Sequence, residues 1–122
     1  LFDERFFAYG DEYDLSIRAF EKSWKIIMVP SAKIVNRLPC VSSFLLVYLN
    51  TRNFLLLSRI HNGHLAVVVY SLRVLLGTLK MLFFSSNRKS IMTNFSARLL
   101  GISDFFRNRF GRPSFLENIN NL

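Results

Sequence analysis

The sequence predicts an α/β fold: one helix and a few short strands at the start, then a mostly helical tail. Three observations carry this expectation. Residues 11–22 join an acidic start to apolar positions at helical spacing. A β-branched run follows and stops at Pro30. From Val41 the texture changes to long apolar stretches with few turn signals. The chain therefore divides into a first portion over residues 1–40 and a basic, helical portion over residues 41–122.

The elements follow in order. Residues 1–10 are aromatic-rich and end in the turn signal Tyr9-Gly10. Asp11 is placed to cap a helix running to Glu21 or Lys22, and Asp14 falls in its first turn, near the positive end of the helix dipole. Leu15, Ala19 and Phe20 supply its apolar face. Lys25-Ile26-Ile27-Met28-Val29 predicts a strand, and Lys33-Ile34-Val35 a second, closed by Pro39. Ser42 or Ser43 opens a helix from Phe44 to about Ile60, which ends near Asn62-Gly63. A second helical stretch runs from about His64 to Phe84. Beyond Ser85-Ser86-Asn87-Arg88-Lys89, a further helix is expected over about Ser90–Leu100, interrupted at Gly101. The end, residues 117–122, is polar.

The stretch over residues 64–84 is broken at Arg73 and Lys80, so no run of about 18 charge-free apolar residues exists to read as a simple transmembrane span. Arg73 and Lys80 lie seven positions apart and share a helix face. This describes a helix lying in a membrane interface with its basic side toward headgroups. A helix packed on protein with a solvated basic stripe has the same pattern. A tilted span with snorkelling ends is a third arrangement.

Composition sets the outer bounds. Hydrophobic residues make up 51% and charged residues 20%, which excludes a disordered chain. Thirteen Phe among 122 residues leave more apolar surface than one small core takes up, so a further domain or a lipid surface is expected to cover the rest. The single cysteine, Cys40, excludes an internal disulfide and a cysteine-based zinc site, and fits a reducing compartment. The net charge of +8 is unevenly spread: six of the eight acids lie in residues 1–21, and fourteen of the sixteen Lys and Arg lie from Lys22 onward. Such a tail suits anionic headgroups or diphosphates. Its basic residues are scattered singly through apolar sequence with no nucleic-acid-binding motif, which argues against DNA or RNA. No signal-peptide pattern is present at the start, and Leu1-Phe2-Asp3, without an initiator Met, reads as an internal breakpoint.

The chemistry concentrates in Asp11-Glu12-Tyr13-Asp14. Three acids within four positions repel one another unless something holds them. A carboxylate at the lip of a pocket, with neighbouring acids, makes a general base. The same residues also serve structure: Asp11 as a cap, Asp14 in the first turn, and Arg18 paired with Asp14 four residues back. Spacing alone leaves both readings open.

Phe2-Asp3-Glu4, Phe6-Phe7, Tyr9, Asp11-Glu12, Asp14-Leu15 and Arg18, taken together, resemble the acidic motif of family 2 glycosyltransferases, closest to the rhamnosyltransferase- and galactofuranosyltransferase-like members. Trp24-Lys25-Ile26-Ile27, Val29-Pro30-Ser31-Ala32, Tyr48 with Arg52-Asn53, Gly101 with Asp104, and Gly111-Arg112 are similar to later motifs of that family, in the same order. The resemblance covers most of residues 2–112.

The resemblance implies the C-terminal edge of a Rossmann-like GT-A domain, with its few short strands, followed by a membrane-proximal tail. It implies an inverting transfer of sugar from a nucleotide-sugar to a glycan or lipid-linked acceptor, with Glu12 as general base and Asp11 beside it. Arg52 and Asp14 fall on the substrate and diphosphate side, and a buried structural role for Arg52 is the equal alternative. The family's divalent cation, Mg²⁺ or Mn²⁺, is served by a His where this chain has Asn36, a weaker ligand through its amide oxygen. His61 and His64 do not replace it. The donor-binding Asp-x-Asp is absent from this sequence, so a donor half is expected upstream and the chain alone is not expected to turn over. The expected location is peripheral, at the cytoplasmic face of the cell membrane. The rival reading is a non-catalytic membrane-surface or interaction module, a remnant of such an enzyme.

Overall fold

The acids and glycine that open the first helix also shape the turn before it. In the computed structural model, which describes residues 1–35, 42–84 and 88–116, α1 is Asp11–Glu21, α2 Ser43–Phe84 and α3 Arg88–Phe106, with a 3₁₀ turn at Ser114–Leu116. The residue before α1 is Gly10, in a left-handed conformation (φ 93°), and Asp11 is the first helical residue. The Gly10 N–H donates to Oε2 of Glu12 at 3.2 Å, so the side-chain contact at this end comes from Glu12. At the other end Trp24 N–H donates to Ala19 and Ser23 N–H to Phe20, with Ser23 at φ 59°, a Schellman stop that satisfies the last carbonyls.

α2 is two helical arms. Gly63 sits between them at φ 78°, ψ −174°, and the chain folds back there. Phe54 and Tyr70 are 16 positions apart, yet their rings stack with centroids 6.4 Å apart. The break falls at the Asn62-Gly63 signal. Leu55, Leu56 and Leu57 of the first arm, Val67 of the second, Phe105 of α3 and Phe6 of the N-terminal turn form the main core. Tyr48, Leu49 and Ala97 form a second cluster. α1 joins through Ile17 and through Tyr13, whose ring lies 5.6 Å from that of Phe54.

The expected strands are not there: the described residues contain no strand, and the fold is helical, not α/β. Residues 25–35 run as irregular chain with a turn closed by Ala32 N–H on the Val29 carbonyl. Ile26, Ile27, Met28, Val29, Ile34 and Val35 all stand exposed. β-branched residues favour extended backbone, but a strand exists only when a neighbouring backbone takes its hydrogen bonds. None of the described residues offers one.

A second correction concerns Gly101. α3 passes straight through it. A Cβ there would lie 2.8 Å from the Tyr48 carbonyl oxygen and 3.2 Å from Arg52 N. The glycine is the point where α3 crosses α2 at close range, not the end of a helix. The expected boundary near residue 40, with Asn36, Pro39 and Cys40, lies outside the described residues, as do residues 85–87 and the polar end over 117–122.

Candidate functional site

The turn that leads into α1 has backbone of an uncommon kind. Phe7 and Tyr9 both have φ near 65°, and Gly10 follows at 93°. Left-handed backbone at aromatic residues costs roughly 1 kcal/mol or more each and needs surrounding bonds to persist. Asn53, fully buried in the first arm of α2, provides them. Its Nδ2 lies 2.7 Å from each of the carbonyls of Phe6, Ala8 and Tyr9, which share its two N–H groups. An interior amide thus grips three successive points of one turn.

Arg52 works beside it and is 1% exposed. Its Nη2 donates to the Gly111 carbonyl at 2.9 Å and the Phe6 carbonyl at 3.4 Å, its Nη1 to Tyr48 Oη at 3.2 Å, and its Nε to Asn53 Oδ1 at 3.1 Å. Tyr48 Oη in turn donates to Asp104 Oδ2 at 2.8 Å. Burial pushes the Tyr48 hydroxyl up to about 12; the Asp104 bond adds to this and the Arg52 charge opposes it. The Gly111 N–H closes the ring of contacts on the Arg5 carbonyl at 2.9 Å. N-terminal turn, mid-α2, α3 and C-terminal segment therefore meet at one buried network. Arg52 also borders a cavity of about 530 Å³, with Asp104, Arg109 and Arg112.

Asp14, 1% exposed, is held from two sides. Arg18 Nη2 lies 2.7 Å from Oδ2, and His61 Nε2 lies 2.9 Å from Oδ1. His61 is also 4.0 Å from Glu21 Oε1. Asp14 thereby ties α1 to the first arm of α2. Asp3 pairs with Arg5 at 2.6 Å, and that bond holds its carboxyl below the usual range.

Asp11 and Glu12 differ from these acids. Neither has a basic partner among the described residues, and Glu12 is exposed. They stand together at the N-terminal end of α1, on the residue next to the gripped turn. Of the residues singled out by sequence, Asp11 and Glu12 thus carry carboxylates without a basic partner, Glu12 accepting from the Gly10 N–H, while Asp14 and Arg52 are bonded into the frame that holds the turn.

No protein-family model, curated protein or solved structure matches the chain.

Sequence reading named Arg52-Asn53 as one motif but assigned a role only to Arg52. The amide beside it makes the three contacts that fix the turn. His61 was set aside for want of a metal-ligand pattern. Its partner is Asp14, 47 positions earlier, and spacing along the chain gives no sign of that pairing. Among the described residues no three His, Cys, Asp or Glu side chains come together as a metal site, and Asn36 is outside them.

The outer face of the α2 second arm completes the picture. Leu65, Val68, Val69, Leu72, Leu76, Leu79 and Phe83 recur at intervals of three and four and are exposed. Over Ser43–Met81 the helix is long and apolar enough to cross a membrane by length and composition. Folded at Gly63, it presents one apolar stripe, with Arg73 and Lys80 exposed alongside.

Proposed function

We propose that this chain is the acceptor-side, membrane-proximal part of an inverting glycosyltransferase, acting with a donor-binding half on a glycan or lipid-linked acceptor. The observation that carries the reading is one convergence. Phe6, Tyr9, Tyr48, Arg52-Asn53, Gly101, Asp104 and Gly111, which belong to the ordered motifs of the resemblance, meet around the turn that carries Asp11 and Glu12. A rigid frame that ends in two carboxylates without basic partners suits a general base, whose position must be held to a fraction of an ångström.

In this reading Glu12 removes the proton of an acceptor hydroxyl as that oxygen bonds to the anomeric carbon. The bond from the anomeric carbon to the diphosphate breaks on the opposite face, and the nucleoside diphosphate leaves with the electron pair. Asp11 stands beside Glu12 on the same helical turn and faces the same acceptor side. Arg52, Asn53, Asp14 and His61 position the turn and touch no substrate.

The test is made in the polypeptide that joins this segment to a donor-binding half. Glu12→Gln is expected to abolish transfer while nucleotide-sugar binding persists. Transfer at the native rate in that variant rejects Glu12 as base. An upstream sequence without strand–helix alternation and an Asp-x-Asp rejects the glycosyltransferase reading itself.

A second reading, a non-catalytic membrane-surface module at the cytoplasmic face, is favoured by the exposed apolar stripe from Leu65 to Phe83. Vesicle binding with no transferase activity in the joined polypeptide selects it.

A further inference from the structure

The two arms of α2 and the α3 helix border an open cavity of about 410 Å³. Asn50 borders it from the first arm, Tyr70, Arg73, Gly77 and Met81 from the second, and Arg98 from α3. Two arginines thus border one space, and no acid lines it. Arg98 has a neutral partner, donating from Nη1 to Thr78 Oγ1 at 2.5 Å. Arg73 has no partner among the described residues. Burial pushes the Tyr70 hydroxyl above its ordinary range, and the charges of Arg98 and Arg73 both oppose this, so both fields reach the same ring. Like charges around one cavity repel unless an anion stands between them. Arginine forks match the geometry of phosphate oxygens.

The cavity is only half of the feature. Arg73 and Gly77 also border an outer groove of about 480 Å³, whose other walls are Val69, Leu72, Leu76 and Lys80. One side of Arg73 therefore faces a cationic cavity and the other an apolar groove that joins the exposed stripe. We infer that the cavity binds a phosphate group carried on an apolar chain, with the phosphate between Arg73 and Arg98 and the chain along Val69, Leu72 and Leu76. This site lies apart from Asp11 and Glu12 and does not depend on the glycosyltransferase reading.

Gly77 gives a test that leaves the charges alone. Gly77 borders both cavity and groove and a Cβ there meets nothing within 4 Å, so the side chain added by Gly77→Leu starts into open space between the two, and its helical content is checked against the native chain's. The full chain is floated with vesicles of phosphatidylcholine, with and without phosphatidylglycerol, and separately titrated with inorganic phosphate while its melting is followed. The native chain is expected to bind only the anionic vesicles. Arg73→Gln with Arg98→Gln, and Gly77→Leu alone, each reduce that binding roughly tenfold, with helical content unchanged. Lys25→Gln with Lys33→Gln removes the same charge from the exposed N-terminal portion and is expected to change it little. Stabilisation by inorganic phosphate that the arginine variant loses, without vesicle binding, keeps the anion site but overturns the apolar chain. Equal loss in the Lys25/Lys33 variant, or full binding in Gly77→Leu, overturns the site, because diffuse charge then explains the attraction.

Discussion

His61 Nε2 lies 2.9 Å from Asp14 Oδ1, and both side chains are almost wholly withdrawn from solvent. This contact is a polar link between α1 and the first arm of α2, and Arg18 of α1 holds the other carboxylate oxygen. Asp14→Ala strands His61 and leaves Arg18 only its bond to the Leu1 carbonyl, and is expected to cost about 2–3 kcal/mol in urea unfolding. His61→Ala costs less, about 1–2 kcal/mol, because Arg18 still holds Asp14. The double variant is expected to lose less than the two separately. Strict additivity would show that the two side chains do not interact.

Asn53→Ala is expected to be among the most damaging single changes at a polar residue. It removes every bond from Nδ2 to the Phe6–Tyr9 turn and leaves left-handed Phe7 and Tyr9 with weaker support, from Arg52 and the Ala8 N–H on the Phe6 carbonyl. A loss of about 2–4 kcal/mol follows from the missing bonds and the released strain. Asn53→Asp does no better, since a carboxylate has no N–H to donate. Urea unfolding measures the loss, and protease cleavage within residues 6–11 of the Ala variant checks its location. A melting point equal to the native chain's would contradict the grip assigned to Asn53.

Two glycines in helices should respond in opposite directions. Gly101→Ala drives a methyl group to 2.8 Å from the Tyr48 carbonyl, so α2 and α3 must separate, at about 1–3 kcal/mol. Gly77→Ala meets nothing and removes backbone freedom from the unfolded chain, a gain of about 0.5–1 kcal/mol. Melting temperatures of the two variants settle the matter. Equal shifts would mean that the helices do not cross at Gly101.

Alkaline pH reads the two tyrosines that burial raises, Tyr70 and, more strongly, Tyr48. The Tyr48 hydroxyl stays protonated in the fold up to about pH 12, while in the unfolded chain it ionises near pH 10. Between those values the folded chain holds the extra proton, so stability falls as pH rises through this window. Tyr48→Phe is expected to flatten the fall, and absorbance titration of the native chain to show a tyrosine ionising late. Loss of stability that is complete below pH 10 would point to other groups.

Helices were legible because their signals are local. The apolar period of residues 43–84 and the Asn62-Gly63 break stand in the sequence, and α2 bends where they say. Ile26-Ile27-Met28-Val29 was misread for the opposite reason. The run states a preference for extended backbone, and whether it forms a strand depends on a partner elsewhere. Gly101 was misread because its use is tertiary: a helix breaker by propensity serves here as a gap for a carbonyl of another helix. In the site, Asp11-Glu12 and Arg52-Asn53 could be picked out as motif residues. Which of them lack a basic partner and which are bonded inward depends on Asn53, His61 and Gly111, brought close by the fold from distant positions.

Gly63 changes what the apolar run of α2 amounts to. Laid straight, its 42 residues would reach roughly 63 Å, about twice the thickness of a bilayer's hydrocarbon layer. Bent at Gly63, each arm measures roughly 30 Å, and the first is already enclosed by α1, α3 and the N-terminal turn. Only one flank of the other arm remains for lipid. The greasiness of the segment and its reach toward a membrane are therefore separate quantities, and one residue with positive φ sets the ratio between them.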